Sequence, residues 1–428
     1  MSKNGLTPVR TALPNGVVVL VQSTKTQPAV AINFAMVSGS VCDSADHIGI
    51  ANFVAHVIDR GTSSRSAEAL AEAFDNRGLS FAVRASRHRM ILACNCLTDD
   101  FEMVLELVAD IAQHPSFPDR EVGKRRVEIE TAIRRDADSS AEAADDLVRA
   151  LIYGELHPYG RRVSGTLDSL GRIDRTALID FHRIRCVPKG ATLTIAGDVN
   201  PSAVTDTVSR LFGDWSSDPP VPVSLPPVPE ANGRRRAVRQ LPGKVQADIA
   251  YGFTGVARSD PRYHGFRIMN NVLGQFGLGG RLGNTIRERQ GMAYYVFSGL
   301  EANIGPGPLI VRAGVSPANV DRAIASIDDE VGKMGADGVT DQELTDAKQF
   351  LVGSIPRMLE TNAMIATFLQ NSEQFDLGMD YDARLPGLFE AVTLDDVCDA
   401  AESLLAPDRA SIAIAGPIDE DVEGAVSP

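Results

Sequence analysis

The sequence lacks any long hydrophobic run, and it has little cysteine and only one tryptophan. Because no stretch of about 18 apolar residues occurs, we predict no membrane-spanning helix. The N-terminal segment MSKNGLTPVRTALPNG has no apolar core of a secretory signal, so we expect a cytoplasmic protein. The five cysteines are odd in number and scattered, which argues against a disulfide framework and against a four-cysteine zinc site.

Positive charge is also scarce. The chain has 42 Lys and Arg against 56 Asp and Glu, a formal net charge of −14. This balance argues against nucleic acid or an anionic membrane as a partner. One basic cluster, GRRRAVRQ at 233–240, breaks the trend. It follows a proline-rich stretch, so we interpret it as the solvated end of a linker.

What the sequence does have is length and an internal repeat. The segment 216–236 contains six prolines and predicts a semi-rigid linker near the middle of the 428 residues. The run ATLTIAGDV (191–199) in the first half is echoed by ASIAIAGPI (410–418) in the second. In each half strands precede helices, which favours α+β over regular βαβ alternation. We predict two homologous domains at 1–215 and 244–428, each an antiparallel-rich sheet with helices packed on it, joined by a Pro-rich linker at 216–243.

The stretch GIANFVAHVIDRGT (49–62) predicts a buried helix within 47–59, since apolar residues surround it on nearly all sides. Asn52 and His56 are four residues apart and share a face. From these residues alone, His56 is interpreted as a hydrogen-bonded core histidine, and the alternative is a metal site that lacks most of its ligands. The remaining histidines show no ligand spacing.

Four segments in order resemble the pitrilysin/insulinase-type zinc peptidases, the family with an inverted H-x-x-E-H motif, and specifically its small bacterial two-domain subunits. They are LPNGVVVLVQ, the stretch from MVSGS to DRGT, HPYGRRVSGT and IRERQGMAYYVFSG. The resemblance covers nearly the whole chain. It implies two duplicated domains and a zinc-binding helix in the first of them.

The departures from the family carry the functional argument. In active members two His hold zinc, the Glu beside the second His activates water, and a later Glu is the third ligand. Those positions are here Asn52, His56, Ala55 and Ala132. Glu128 and Glu130 lie near the last position, and Glu128, one turn away on roughly the same face, is a possible but poorly placed substitute. Because catalytic zinc needs about three protein ligands, we predict no metal and no catalytic residue in this chain.

The motif of the second domain is intact. In the family an Arg and a Tyr seven residues later bind the substrate backbone, and the match RERQGMAY supplies Arg287 and Tyr294. The Gly-rich segment 274–284 lacks the Gly-Lys-Ser/Thr ending of a phosphate loop and is interpreted as the turn before the helix that carries Arg287.

The resemblance therefore implies a catalytically inactive subunit of a heterodimeric zinc metallopeptidase. Arg287 and Tyr294 would bind peptide in the active site of a catalytic partner subunit that holds the zinc, for proteolysis of peptides or of precursor and leader peptides. The alternative is a non-enzymatic scaffold or a homodimeric peptide-binding protein.

Overall fold

The computed structural model describes residues 5–218, 221–275 and 279–418. Over these residues the chain divides into two compact units, each built on one β-sheet with helices packed against it. Unit 1 comprises the described parts of Met1–Ile133, Arg162–Ser224 and Ile355–Arg384, and unit 2 comprises those of Arg134–Arg161, Leu225–Ser354 and Leu385–Pro428. The α+β class predicted from the sequence is confirmed.

The sheet of unit 1 has six strands in the order β1-β2-β6-β3-β5-β4. The strands are β1 Val9–Ala12, β2 Val18–Ser23, β3 Ala29–Met36, β4 Ser80–Ala85, β5 Met90–Leu97 and β6 Thr192–Gly197. Strand β6 pairs parallel with β2 and antiparallel with β3, and β4 forms an antiparallel hairpin with β5. The strands β2 and β3 and the β4–β5 hairpin are rich in apolar and β-branched residues, the composition that favours strands.

The sheet of unit 2 has five strands in the order β7-β11-β8-β10-β9. The strands are β7 Arg235–Gln240, β8 Ala247–Thr254, β9 Ala293–Leu300, β10 Pro308–Val315 and β11 Ser411–Gly416. Apart from the extra strand β1, both sheets follow one order, in which the last strand lies between the first and the second. The echoed runs that revealed the duplication form β6 and β11, the equivalent fully buried strands of the two sheets.

Fourteen α-helices are assigned within the described residues. They are α1 Ile50–Val57, α2 Ala67–Asp75, α3 Phe101–Gln113, α4 Asp119–Ala137, α5 Ser140–Tyr153, α6 Leu167–Arg172, α7 Arg175–Arg185, α8 Pro201–Phe212, α9 Tyr263–Asn270, α10 Val320–Asp337, α11 Asp341–Met358, α12 Asn362–Gln374, α13 Tyr381–Glu390 and α14 Leu394–Leu404. Two further segments, Asn271–Gln275 and Gly283–Arg289, are π-helices.

One helix in each unit comes from the other half of the chain. In unit 1, α12 packs on β2, β3 and β6, where Leu369 joins the apolar cluster of Leu20, Ala31 and Ala196. In unit 2, α5 packs on β7, β8 and β11. The units therefore differ from the ranges 1–215 and 244–428 by one exchanged segment each, because an amphipathic pattern shows that a helix has an apolar face and not which sheet that face covers.

The basic cluster is part of a sheet rather than the end of a linker. Residues 235–240 form β7, which pairs parallel with β11, and the side chain of Arg235 donates a hydrogen bond to the carbonyl oxygen of Leu151. These residues are therefore strand and not linker, although three of the six are exposed. The cause is that β7 is an edge strand whose side chains are only partly covered, so its sequence shows no apolar alternation.

Candidate functional site

A tight turn fixes the start of helix α1, which carries the first degenerate ligand positions. Gly49 precedes the helix with a φ of 95°, a left-handed conformation that favours glycine. A Cβ at this position would lie 2.6 Å from the carbonyl oxygen of Ser164. The carboxylate of Asp43 accepts the backbone N–H groups of Gly49 and Ala51 at 2.7 and 3.1 Å. This carboxylate satisfies N–H groups that the helix itself leaves unpaired.

His56 is exposed, so its interpretation as a core histidine is wrong. Its hydrogen bond is present: Nδ1 lies 2.8 Å from the backbone carbonyl oxygen of Asn52. If Nδ1–H donates to this oxygen, only Nε2 is left with a lone pair. Ala55 is buried and supplies no carboxylate, while Asn52 is half-buried.

Helix α4 carries Ala132, the position predicted for the third ligand. Ala132 is half-buried there and offers no donor atom. Glu128 is exposed, and its carboxylate accepts a hydrogen bond from the guanidinium of Arg125 rather than facing α1 unpaired. Glu130 is half-buried.

These residues do not fit a catalytic zinc ion. Such a site takes three protein ligands and keeps one position for water, whereas α1 offers a single imidazole nitrogen. In the part of the chain that the structure describes, no group of three or more His, Cys, Asp or Glu side chains could hold a metal ion.

Arg287 lies on the π-helix Gly283–Arg289, where its side chain is exposed. Ile286, the preceding residue, is buried and anchors the segment in unit 2. Thr285 Oγ1 donates a hydrogen bond of 2.8 Å to Oε1 of the largely buried Glu330 on α10. π-Helices are rare and occur frequently at functional sites. The helix predicted to carry Arg287 is thus present, in π rather than α form.

A half-buried ion pair fixes the chain just before this π-helix. Arg281 donates to both carboxylate oxygens of Glu343 at 2.7 and 2.8 Å and to the carbonyl oxygen of Gly338 at 2.9 Å. Glu343 also accepts the backbone N–H of Thr340 at 2.8 Å and so caps the start of α11. The hydrogen bonds from Arg281 and from Thr340 lower the pKa of Glu343 to about 2.

Tyr294 occupies a β-bulge on β9, an edge strand of its sheet. Val315 of β10 pairs with Ala293 and Gly314 pairs with Tyr295, so Tyr294 has no partner across the strands. A bulge leaves one extra residue unpaired and re-aims its side chain. The side chain of Tyr294 is accordingly 65% exposed.

Three hydrogen-bond donors converge on Asp248 beside the bulge. Tyr295 Oη donates to Asp248 Oδ1 at 2.5 Å, Gln246 Nε2 donates to the same oxygen at 2.8 Å, and Ser140 Oγ donates to Oδ2. Asp248 is 2% exposed, and burial together with its negative charge raises the pKa of Tyr295. The sequence signal for this group is an Asp inside the apolar strand ADIAYGFT, because a buried carboxylate needs hydrogen-bond partners.

Arg287 and Tyr294 share a further property. Within the residues that the structure describes, neither the guanidinium of Arg287 nor the hydroxyl of Tyr294 has a hydrogen-bond or ion-pair partner. Both belong to unit 2, whereas Asn52, Ala55 and His56 belong to unit 1. The chain thus presents two donors on firmly anchored segments.

Two similar α+β units on one chain, each with one sheet of the same strand order, define the class of the protein. The sequence matches the model of Insulinase (Peptidase family M16) over residues 18–166 and that of the Peptidase M16 inactive domain over residues 172–351. The chain belongs to this pitrilysin/insulinase-type family.

Relatives of this chain include bacterial proteins named as zinc proteases. The uncharacterized zinc protease YmxG of Bacillus subtilis is 26% identical over 357 residues, 81% of this chain and 83% of that protein. An uncharacterized zinc protease of Mycobacterium leprae is 29% identical over 375 residues, 85% of this chain and 82% of that protein.

Solved structures share the fold. A peptidase M16 inactive domain from Pseudomonas fluorescens superposes with a TM-score of 0.90 at 22% identity, over 98% of this chain and 100% of that chain. A protease from Helicobacter pylori gives a TM-score of 0.87 at 19% identity, over 96% and 99% of the two chains. Among the helices that the structure describes, none combines the length and the hydrophobicity needed to cross a membrane.

Proposed function

We propose that this chain is the noncatalytic subunit of a heterodimeric zinc peptidase. In this proposal Arg287 and Tyr294 bind the peptide substrate in the zinc site of the partner subunit. Two observations support the proposal. Arg287 and Tyr294 are exposed donors without partners among the described residues, and α1 carries Asn52 and Ala55 where zinc chemistry would need His and Glu. The complex is expected in the cytoplasm, and cell fractionation tests that location.

The chemistry of the two side chains suits this role. A guanidinium and a phenol both donate hydrogen bonds, and a peptide carbonyl oxygen accepts them. These bonds strengthen as the oxygen gains negative charge in a tetrahedral intermediate, so they stabilise the transition state more than the substrate. Zinc bound to the partner would polarise the same carbonyl group and activate water.

The edge position of β9 supports binding of an extended peptide. Because β9 pairs with β10 on one side only, its other side presents backbone N–H and C=O groups to an added strand. The bulge at Tyr294 interrupts this edge and turns one side chain outward. The net charge of −14 favours basic or neutral peptides over acidic ones.

Reconstitution tests the proposal. This chain is mixed with a similar-sized chain that carries an intact H-x-x-E-H motif, and cleavage of a peptide library is followed. We expect cleavage only in the mixture, and we expect it to be lost with Arg287→Ala. If the candidate partner cleaves peptides without this chain, or if Arg287→Ala changes nothing, the proposal fails.

Size measurement separates the proposal from its alternative. A heterodimer predicts a mixed complex of about twice the mass of this chain, which is 45.8 kDa. A homodimeric peptide-binding protein would instead double its mass alone and bind peptides without a partner. A scaffold would form the mixed complex, yet its Arg287→Ala and Tyr294→Phe variants would leave the activity of the partner unchanged.

A further inference from the structure

Three Asn-Gly pairs occur in the sequence, at residues 4–5, 15–16 and 232–233. Asparagine before glycine readily loses its side-chain amide, because glycine has no Cβ to hinder attack of its backbone nitrogen on the neighbouring side chain. The first pair begins outside the described residues. The other two lie in different surroundings, and these surroundings decide whether the reaction can occur.

The pair at 15–16 is held by hydrogen bonds within unit 1. Asn15 Nδ2 donates to the carbonyl oxygens of Phe212 and Trp215 at 2.6 and 3.1 Å. The backbone N–H of Gly16 donates to the carbonyl oxygen of Leu13 at 2.9 Å. The nucleophile and the group that it would attack are therefore both engaged, and the reaction requires a local opening of the structure.

The pair at 232–233 lies in unit 2 and has none of these restraints. Asn232 and Gly233 are both exposed. In the described part of the chain, neither the side-chain amide of Asn232 nor the backbone N–H of Gly233 has a hydrogen-bond partner. The φ of Gly233 is 85°, and apart from its chain neighbours no described residue has an atom within 4 Å of the place where a Cβ would stand. The attack is thus unhindered here.

The charges that follow this pair favour the same reaction. Residues 234–236 are three arginines. The attack passes through an anionic nitrogen and an oxyanion, and guanidinium groups nearby stabilise negative charge. Arg234 is held at the start of β7 by bonds of 2.9 Å to both carboxylate oxygens of Asp328. A carboxylate created at residue 232 would compete with Asp328 for this guanidinium.

We propose that Asn232 is a site of spontaneous deamidation. The backbone nitrogen of Gly233 loses its proton to the solvent and forms a bond to Cγ of Asn232, and the side-chain nitrogen leaves as ammonia. Water then opens the resulting succinimide ring at either carbonyl group, which gives aspartate or isoaspartate. The reaction consumes one water molecule, releases one ammonia and needs no oxidant or cofactor.

The product carries one more negative charge where the Pro-rich segment meets β7. The isoaspartate form also lengthens the main chain by one carbon atom at this point. The proposal does not depend on Arg287 or Tyr294, so it can fail while the proposed function holds, and the converse is also true.

Peptide mapping of the full chain by mass spectrometry tests the proposal after incubation at mildly alkaline pH. We expect the peptide that contains Asn232 to gain the mass that replacement of NH₂ by OH produces, and to separate into aspartate and isoaspartate forms. Asn15 is the control within the same digest. It should react at least about tenfold more slowly, because its hydrogen bonds must first break.

Two further measurements distinguish the effect of the fold from that of the Asn-Gly sequence. Incubation in urea should remove the protection of Asn15, so that both pairs react. Asn232→Gln keeps an amide but would have to close a larger ring, and it should remain unmodified in the folded chain. If Asn232 stays intact in the folded chain, or if Asn15 reacts there as fast as Asn232, the proposal is overturned.

Discussion

The imidazole Nδ1 of His56 lies 2.8 Å from the backbone carbonyl oxygen of Asn52, one turn earlier on the same helix. This contact engages one ring nitrogen of the single histidine on α1. Asn52 itself offers an amide where a second imidazole would be needed. The helix that would hold a metal is thus reduced to one free nitrogen donor, Nε2.

Zinc analysis tests this geometry directly. The purified chain should carry well under one zinc per molecule, because one imidazole nitrogen cannot replace three protein ligands. Elemental analysis after dialysis measures the content, and His56→Ala should leave it unchanged. Stoichiometric zinc that disappears with His56→Ala would mean that the ligand set has been misjudged.

Removal of the guanidinium at Arg287 should affect activity and not folding. In a complex with a catalytic partner, Arg287→Ala should lower kcat/KM about a hundredfold, as loss of one donor to a developing oxyanion does. Its Tm should stay unchanged, since the side chain is exposed. Arg289→Ala is the matched control, because Arg289 is exposed on the same π-helix. Equal losses from both variants would point to a general charge effect.

Substitutions of the adjacent residues Tyr294 and Tyr295 should have different effects. Tyr294→Phe removes an exposed hydroxyl and should lower kcat/KM with no loss of stability. Tyr295→Phe removes a donor to the buried Asp248 and should lower the free energy of unfolding by about 1–2 kcal/mol. Urea unfolding and peptide-cleavage assays on both variants measure the two effects. A stability loss in Tyr294→Phe would show that its hydroxyl is structural.

The pair of Arg281 and Glu343 should make stability depend on pH in the acid range. The pKa of Glu343 is about 2 in the folded chain against an ordinary value of 4.5. A carboxyl group whose folded-state pKa is lowered stabilises the fold above its unfolded pKa, and this contribution is lost as pH falls from about 4.5 towards 2.

Glu343→Gln should therefore lower the free energy of unfolding by about 1–2 kcal/mol near neutral pH. This value lies between those for exposed ion pairs and for buried hydrogen bonds to charged groups. The difference in free energy of unfolding between the variant and the unaltered protein should shrink below pH 4.5. Urea unfolding at several pH values measures this difference. A difference that is constant with pH would indicate lost packing rather than lost charge.

Much of the fold could be predicted because its core elements carry strong local signals. The central strands β6 and β11 are buried along their whole length and appear as matching apolar runs. Helices α3 and α4 follow from their apolar periodicity. The pairing of α5 and α12 with their sheets could not be predicted, since it depends on contacts between segments far apart in the chain.

Less of the candidate site than of the fold could be predicted from the sequence. The exposure of His56 could not be predicted, because its sequence neighbours are apolar and give no signal of an exposed face on α1. The bulge at Tyr294 and the π-helix of Arg287 arise from pairing and packing around them, and neither has a residue pattern of its own. The anchoring acids Asp248 and Glu343 likewise become visible only through their partners in space.

The exchanged helices affect how this protein can fold during its synthesis on the ribosome. Unit 1 includes Ile355–Arg384, so its sheet lacks α12 until the ribosome has synthesised the chain beyond Gln374. Until then Leu20 and Ala31 lie on a bare apolar surface. A nascent chain that stalls before this point would need shielding by a chaperone, and a gene truncated there would yield an aggregating product rather than a smaller working domain.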